Sequence, residues 1–286
     1  MTFLGWKVKL NLNDIRELIE ECKLTPNRRR GQNFLFDRNV LSKIISSVNL
    51  SKIDRVLEVG AGFGNLTRYI AQYCEFVLAV EMDKKIAPLL ERETASFENV
   101  KILIKDVMKV DLGKFTIDHK LNRMVSNLPY SIAAPLVLKI LIDCPGVMMI
   151  HCAVQKEIAQ RMTAGPGEKS YSGYTAKLGY LSEVKTLFVI SRNSFFPAPG
   201  VDSSFVEIKR KETLDEEINI INFFNFVGAC FASRRKTLAN SLVGSSILNI
   251  AKSEIEAVLG SLGFASNARA EQLSTEDLLS LFKKFT

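Results

Sequence analysis

Apolar residues along this chain fall into two rhythms, and the switch between them predicts the elements. Ile15, Leu18 and Ile19 recur at helical spacing and predict a short amphipathic helix over 13–22. Val40, Leu41, Ile44, Ile45 and Val48 predict a second helix, with Asp37 placed to cap its start. From Arg55 short continuous apolar runs, suited to buried strands, alternate with helical stretches. Strands are expected at 56–59, 76–80 (ending in Glu81), 100–104 (ending in Lys105-Asp106), 121–126 and 147–154. Helices are expected from Asn65 to Tyr73, over 84–94 with Pro88 in its first turn, and over 133–142 and 155–163. The glycine-rich run 164–174 reads as a mobile loop. A helix at 175–182 and strands at 184–190 and 204–209 follow, the last pair expected as an antiparallel hairpin joined through Phe195-Phe196-Pro197-Ala198-Pro199-Gly200. Strand and helix in alternation predict an α/β fold, a mostly parallel sheet with helices on both faces.

After Lys211 the strand pattern stops. An apolar helix over 215–231, a capping box at Ser253-x-x-Glu256 with a stop at Gly263, and a second box at Ser274-x-x-Asp277 predict helices only. The expected division is a sheet domain over 1–211, with an N-terminal helical and basic extension, and a small helical domain over 212–286.

Composition adds limits. Of 286 residues, 47% are hydrophobic and 24% charged, an ordinary soluble mixture. No apolar run approaches the roughly 18 residues of a membrane span, and the first residues lack the pattern of a signal peptide. The five cysteines are scattered, with no C-x-x-C pair, so a metal site is not expected and reduced thiols in the cytosol are. The net charge of +7 favours a polyanionic partner. Arg28, Arg29 and Arg30, and then Arg234, Arg235 and Lys236, are the candidate phosphate contacts, although a solvated surface run is the plainer reading of the first cluster alone.

The chemistry gathers at strand ends. Glu58-Val59-Gly60-Ala61-Gly62-Phe63-Gly64 joins a strand to a helix, where backbone can approach a ligand. The spacing is G-x-G-x-G rather than G-x-G-x-x-G, with Asn65 at the position of the third dinucleotide glycine. A turn without pyrophosphate spacing, with the Glu58 carboxylate beside it, suits a ligand that lacks phosphates and carries a positive amino-acid part, such as S-adenosylmethionine. Glu81 is placed to hold ribose hydroxyls and Asp106 to accept from an adenine amino group. On the same edge, Asn127-Leu128-Pro129-Tyr130 offers an amide acceptor, backbone carbonyls and an aromatic face on a proline-stiffened segment, which suits a planar nucleobase. His119 and His151 lie in no motif and read as structural or surface residues.

With these motifs the chain resembles the KsgA-type rRNA adenine N6,N6-dimethyltransferases of the small ribosomal subunit over nearly its whole length. The resemblance rests on Gly31-Gln32-Asn33-Phe34-Leu35, Glu58 to Thr67, Asn127 to Tyr130, Phe195-x-Pro197-x-Pro199-x-Val201-Asp202-Ser203, Arg234 to Leu238 and Arg269 to Ser274. Ser131 and Ala61 depart from the commoner Asn and Pro. The resemblance implies a Rossmann-like class I methyltransferase sheet with S-adenosylmethionine as methyl donor. It implies donor contacts from Asn33, Leu35, Gly60, Glu81, Asp106 and Asn127, with Gln32 and Val107 close by, and Glu58 and Gly62 belong to the same turn. It makes Asn127, Leu128, Pro129 and Tyr130 the catalytic motif and sets Phe195 against the target adenine opposite Tyr130. The implied substrate is two adjacent adenosines in a loop near the 3′ end of small-subunit rRNA, within a subunit precursor. A monomer with a role in subunit biogenesis is expected, with no membrane or DNA partner. A related enzyme of large-subunit rRNA shares the donor loop and a similar tetrapeptide. Val201-Asp202-Ser203 and Arg234 to Leu238 favour the small-subunit reading.

Overall fold

A computed structural model describes residues 12–24, 32–245 and 250–285. Arg28, Arg29 and Arg30 lie outside the described residues. The chain forms two compact units, one running through Ala159 and resuming over Lys185–Lys209, the other made of Gln160–Val184 and the chain from Arg210 onward.

The elements, in chain order, begin with α1 (Leu12–Glu21), β1 (Phe34–Leu35), α2 (Arg38–Val48), β2 (Arg55–Val59), α3 (Asn65–Ala71), β3 (Phe76–Glu81) and α4 (Ala87–Thr94). They continue with β4 (Val100–Ile104), α5 (Leu112–Asp118), β5 (Arg123–Asn127), α6 (Ala133–Asp143), β6 (Met149–Gln155), α7 (Lys156–Thr163), α8 (Gly173–Leu181), β7 (Ser182–Ile190), β8 (Phe195–Phe196) and β9 (Ser203–Arg210). The sheet runs β4-β3-β2-β5-β6-β9-β7. β2 pairs parallel with β3 and β5, β3 with β4, and β5 with β6, whereas β9 lies antiparallel to β6. β3 is buried at every position but its first, and a strand covered on both faces reads as the continuous apolar run seen in its sequence.

The helix starts follow local chemistry. Asp37 caps α2 by accepting from the Asn39 and Val40 N–H groups at 2.9 and 3.3 Å. The helix expected from residue 84 begins only at Ala87, which leaves Pro88 in the first turn, where no N–H donor is needed. The α5 helix was not expected; Asp111 caps it by accepting from Lys114 N–H.

The second unit is helical and larger than the expected 212–286. Its later helices are α9 (Ile220–Cys230), α10 (Leu238–Val243), α11 (Lys252–Ser261) and α12 (Thr275–Lys283). α8 belongs with them because it packs on α9 and α12. Tyr180 of α8 meets Phe223 with ring centroids 4.9 Å apart, and Phe223 meets Phe282 at 5.5 Å. The Tyr171 hydroxyl, at the end of the glycine-rich loop, donates to the Leu273 carbonyl at 2.9 Å, so that end of the loop is anchored. The capping box at Ser274 and Asp277 forms. The one at Ser253 does not, because α11 starts earlier, behind Ala251, and Ser253 falls in its first turn.

Candidate active site

Strand order turns at β2 and β5. β3 and β4 extend to one side and β6 to the other, and in an open α/β sheet a crevice opens beyond the strand ends at such a point. The opening has a local cause. β2 and β5 pair at Val56–Arg123 and Leu57–Met124. Beyond that the Val59 N–H turns to the buried Ser126 hydroxyl at 2.9 Å, so a side chain satisfies the donor that the ladder leaves. A cavity of about 410 Å³ lies over this edge, and Gln32, Asn33, Leu35, Glu58, Gly60, Gly62, Glu81, Asp106, Val107, Asn127 and Pro129 all line it.

Two glycines are required by geometry. Gly60 has φ +78°, and a Cβ there would stand 3.0 Å from Pro129 Cδ. Gly62 has φ +56°, and its Cβ would stand 3.1 Å from the Phe34 ring. The glycine turn therefore rests directly on the Asn127–Tyr130 segment, and only a residue without a side chain permits that approach.

The carboxylates are held in different ways. Glu81 ends β3 and accepts from the Gly62, Met82 and Asp83 N–H groups at 2.9, 2.8 and 2.9 Å. Burial raises its pKa despite those three donors. Asp106 Oδ1 accepts from Met108 N–H at 3.0 Å, which aims the carboxylate from the end of β4. Glu58 is buried to 1% exposure, and its Oε2 has no hydrogen-bond partner. Burial, opposed by the Thr67 hydroxyl and helped by the nearby Glu81 charge, pushes it up to about 8.

In the tetrapeptide, Asn127 Nδ2 donates to the Asn33 carbonyl at 3.1 Å. That bond orients the amide and leaves Oδ1 a buried acceptor without a partner, on a residue that lines the cavity. Leu128 is buried, and its N–H donates to Ala153. The Pro129 carbonyl accepts from Ile132 N–H at 3.1 Å. The Tyr130 hydroxyl and Ser203 Oγ share a hydrogen bond of 2.6 Å, which fixes the ring, and burial raises the phenol pKa. Tyr130, Gln155, Arg192 and Pro197–Gly200 line a second cavity of about 620 Å³, and Asn33 and Ser131 line both cavities.

Phe195 is placed differently from the rest. It pairs with Leu35 in the short β1–β8 ladder, is 2% exposed, and lines neither cavity. Arg234, Arg235 and Lys236 are exposed in the turn between α9 and α10, and Arg234 also donates to the Lys169 and Tyr171 carbonyls at 3.2 and 3.1 Å. His151 is buried against Glu207 at 3.0 Å, which agrees with a structural role, and among the described residues no group of three or more possible metal ligands gathers. Sequence reasoning missed the apolar wall of Met82, Ile86 and Met108, and it quoted Asn65 and Ser203 within motifs without giving either a role. The first three were findable, since they lie just beyond the strand-end carboxylates.

The chain is similar to known proteins over most of its length. The family model described as ribosomal RNA adenine dimethylase matches residues 24–286. A ribosomal RNA small subunit methyltransferase A of Natranaerobius thermophilus is 35% identical, over 94% of this chain and 95% of its own. The protein of that name from Clostridioides difficile is 36% identical, over 93% and 92%. Among solved structures, a dimethyladenosine transferase of Plasmodium falciparum superposes with TM-score 0.77 at 26% identity, covering 88% of this chain and 97% of that one. The 23S rRNA methyltransferase ErmE superposes with TM-score 0.68 at 25% identity, covering 88% and 99%.

Proposed function

The chain belongs to the ribosomal RNA adenine dimethylase family, and from that premise we propose how its residues divide the work. The reaction is S-adenosylmethionine-dependent dimethylation of the N6 amino group of two adjacent adenosines near the 3′ end of small-subunit rRNA. The single observation that carries this assignment is the buried, unpartnered Oδ1 of Asn127 on the cavity wall.

The cavity of about 410 Å³ over the strand ends fits the methyl donor. Glu81 holds the ribose, Asp106 and Val107 the adenine, and Asn33, Leu35, Gly60 and Gly62 the backbone-lined floor, with Gln32 and Glu58 beside them. When bound, the donor supplies an electrophilic methyl on a sulfonium. The residues around it supply position and hydrogen bonds. The target adenine amino group has its lone pair delocalised into the ring and is a poor nucleophile. Asn127 Oδ1 accepts one of its N–H bonds. The Pro129 carbonyl is already bonded to Ile132, so the Leu128 carbonyl is the second acceptor. Two acceptors draw the nitrogen toward tetrahedral geometry and free the lone pair, and fixed placement carries much of the rate. Tyr130, held by Ser203, supplies one face for the base. The enzyme works as a cytoplasmic monomer on a small-subunit precursor and contributes to biogenesis. Arg28, Arg29, Arg30, Arg235 and Lys236 contact phosphates, and Arg234 does so alongside its loop contacts.

The test is methyl transfer from labelled S-adenosylmethionine to small and large subunits that lack their dimethyladenosines, followed by nucleoside analysis. Dimethyladenosine in the small subunit only is expected, and label confined to the large subunit would refute the assignment. Asn127→Ala should lower the transfer rate about a hundredfold or more, as loss of a preorganised hydrogen bond to a reacting group does, while RNA binding persists. In an RNA-binding titration across a salt series, a variant with Arg235 and Lys236 replaced by Ala should bind more weakly and with a shallower salt dependence.

A further inference from the structure

Asn65 is the second buried amide at this site. It is 7% exposed, lines the donor cavity, and opens α3 just after the glycine turn. Its Nδ2 donates to the Leu35 carbonyl at 2.7 Å, and its Oδ1 is buried with no hydrogen-bond partner. The same segment thus fixes two amides. The Asn33 carbonyl takes the Nδ2 of Asn127 and the Leu35 carbonyl takes the Nδ2 of Asn65, so each amide keeps a buried, unpartnered oxygen on a residue that lines the cavity. A buried polar atom left without a partner is destabilising, and at a ligand site it marks where a ligand donor is missing.

Among the described residues lining this cavity, the unpartnered buried atoms are Asn65 Oδ1 and Asn127 Oδ1, which can only accept, and Glu58 Oε2, which accepts once its carboxyl gives up its proton. Asn127 is taken by the target amino group. Glu81 and Asp106 face the nucleoside part of the donor. The two remaining acceptors suit a group that has several N–H bonds and a positive charge. We propose that Asn65 binds the α-ammonium of the donor's amino-acid part through its Oδ1, beside Glu58, and so selects a donor with an intact amino acid. The proposal rests on the reading of this cavity as the methyl-donor site. A purely structural Asn65 would need only its Nδ2 bond to Leu35.

The test compares S-adenosylhomocysteine with 5′-methylthioadenosine by calorimetry on the full chain. Both are thioethers with an uncharged sulfur and the same nucleoside, and they differ in whether that sulfur carries the zwitterionic amino-acid chain or a methyl group. Their affinity ratio does not depend on the fraction of protein folded. Asn65→Ala should reduce the preference for S-adenosylhomocysteine about tenfold, the effect of one hydrogen bond to a charged group, and leave methylthioadenosine binding within about twofold. Asn65→Asp keeps the acceptor and loses the donor to Leu35, so it should retain the preference. Equal weakening of both ligands by Asn65→Ala, or loss of the preference in Asn65→Asp, would overturn the proposal. Failure of the unaltered protein to bind S-adenosylhomocysteine at all would overturn the donor-site reading and this inference with it.

Discussion

Glu58 is a carboxyl group with almost no exposed surface, and water cannot stabilise its charge. Its pKa is raised from 4.5 to about 8, chiefly by burial. The consequence for stability has a definite sign. Below 4.5 the group is protonated in both the folded and unfolded chain. Between 4.5 and about 8 the unfolded chain releases the proton and the folded chain keeps it. The unfolded state then binds fewer protons, so stability falls as pH rises through that window and levels above it. Glu58→Gln removes the ionisation and keeps the size. Melting temperature measured from pH 5 to pH 9 without ligand should decline less steeply in the variant, with the two proteins similar at pH 5 and the variant higher at pH 9. Parallel curves would mean that Glu58 is ionised in the folded protein and that some other group answers its charge.

At the scale of elements, the site depends on where a strand end meets a turn. Gly60 closes β2 with φ +78°, and Pro129 occupies the space a Cβ would need. Gly60→Ala therefore combines a left-handed backbone, roughly 1–2 kcal/mol for a residue with a Cβ, with displacement of the segment that carries Asn127. A lowered urea midpoint together with a lost methyl-transfer rate is expected; a stable and fully active variant would show that turn and tetrapeptide move independently. The glycine turn, the strand-end carboxylates and the tetrapeptide were legible because each interrupts a strong apolar run with a residue type the run would not tolerate. The β1–β8 pair was not legible. Phe34-Leu35 and Phe195-Phe196 are too short to carry a period, and their pairing joins segments separated by most of the sheet. That ladder also accounts for the burial of Phe195, which the motif alone placed against a base. Ser126 was equally hidden, and Ser203 stood in a motif with no role, since a small hydroxyl in a buried strand is informative only once its partner is known.

At the scale of the molecule, the sequence pattern marks a change of character at Lys211, but packing draws the boundary elsewhere. The helices after that point pack around α8, which precedes β7 and β9 in the chain. Sequence order hid this, because α8 sits between strand-like runs and reads as one more helix of the α/β alternation. Phe223, Phe226 and Phe282 form an aromatic cluster, and Tyr180 of α8 completes it through its contact with Phe223. Asp215, just beyond Lys211, is ion-paired with Lys283 of α12. A chain ended after Lys211 would keep α8 and lose every later helix. Leu178, Tyr180 and Leu181, all buried in the whole protein, would then lose their apolar partners on α9 and α12. Each such side chain contributes about 1.5–3 kcal/mol by burial, a large fraction of the stability of an ordinary domain. The truncated chain should therefore aggregate or bind a hydrophobic dye strongly, and amides over 173–181 should exchange within seconds where those of the full chain are protected. If the truncated chain instead elutes as a monomer with 173–181 still protected, α8 draws its stability from the first unit, and the helical unit begins where the sequence pattern placed it.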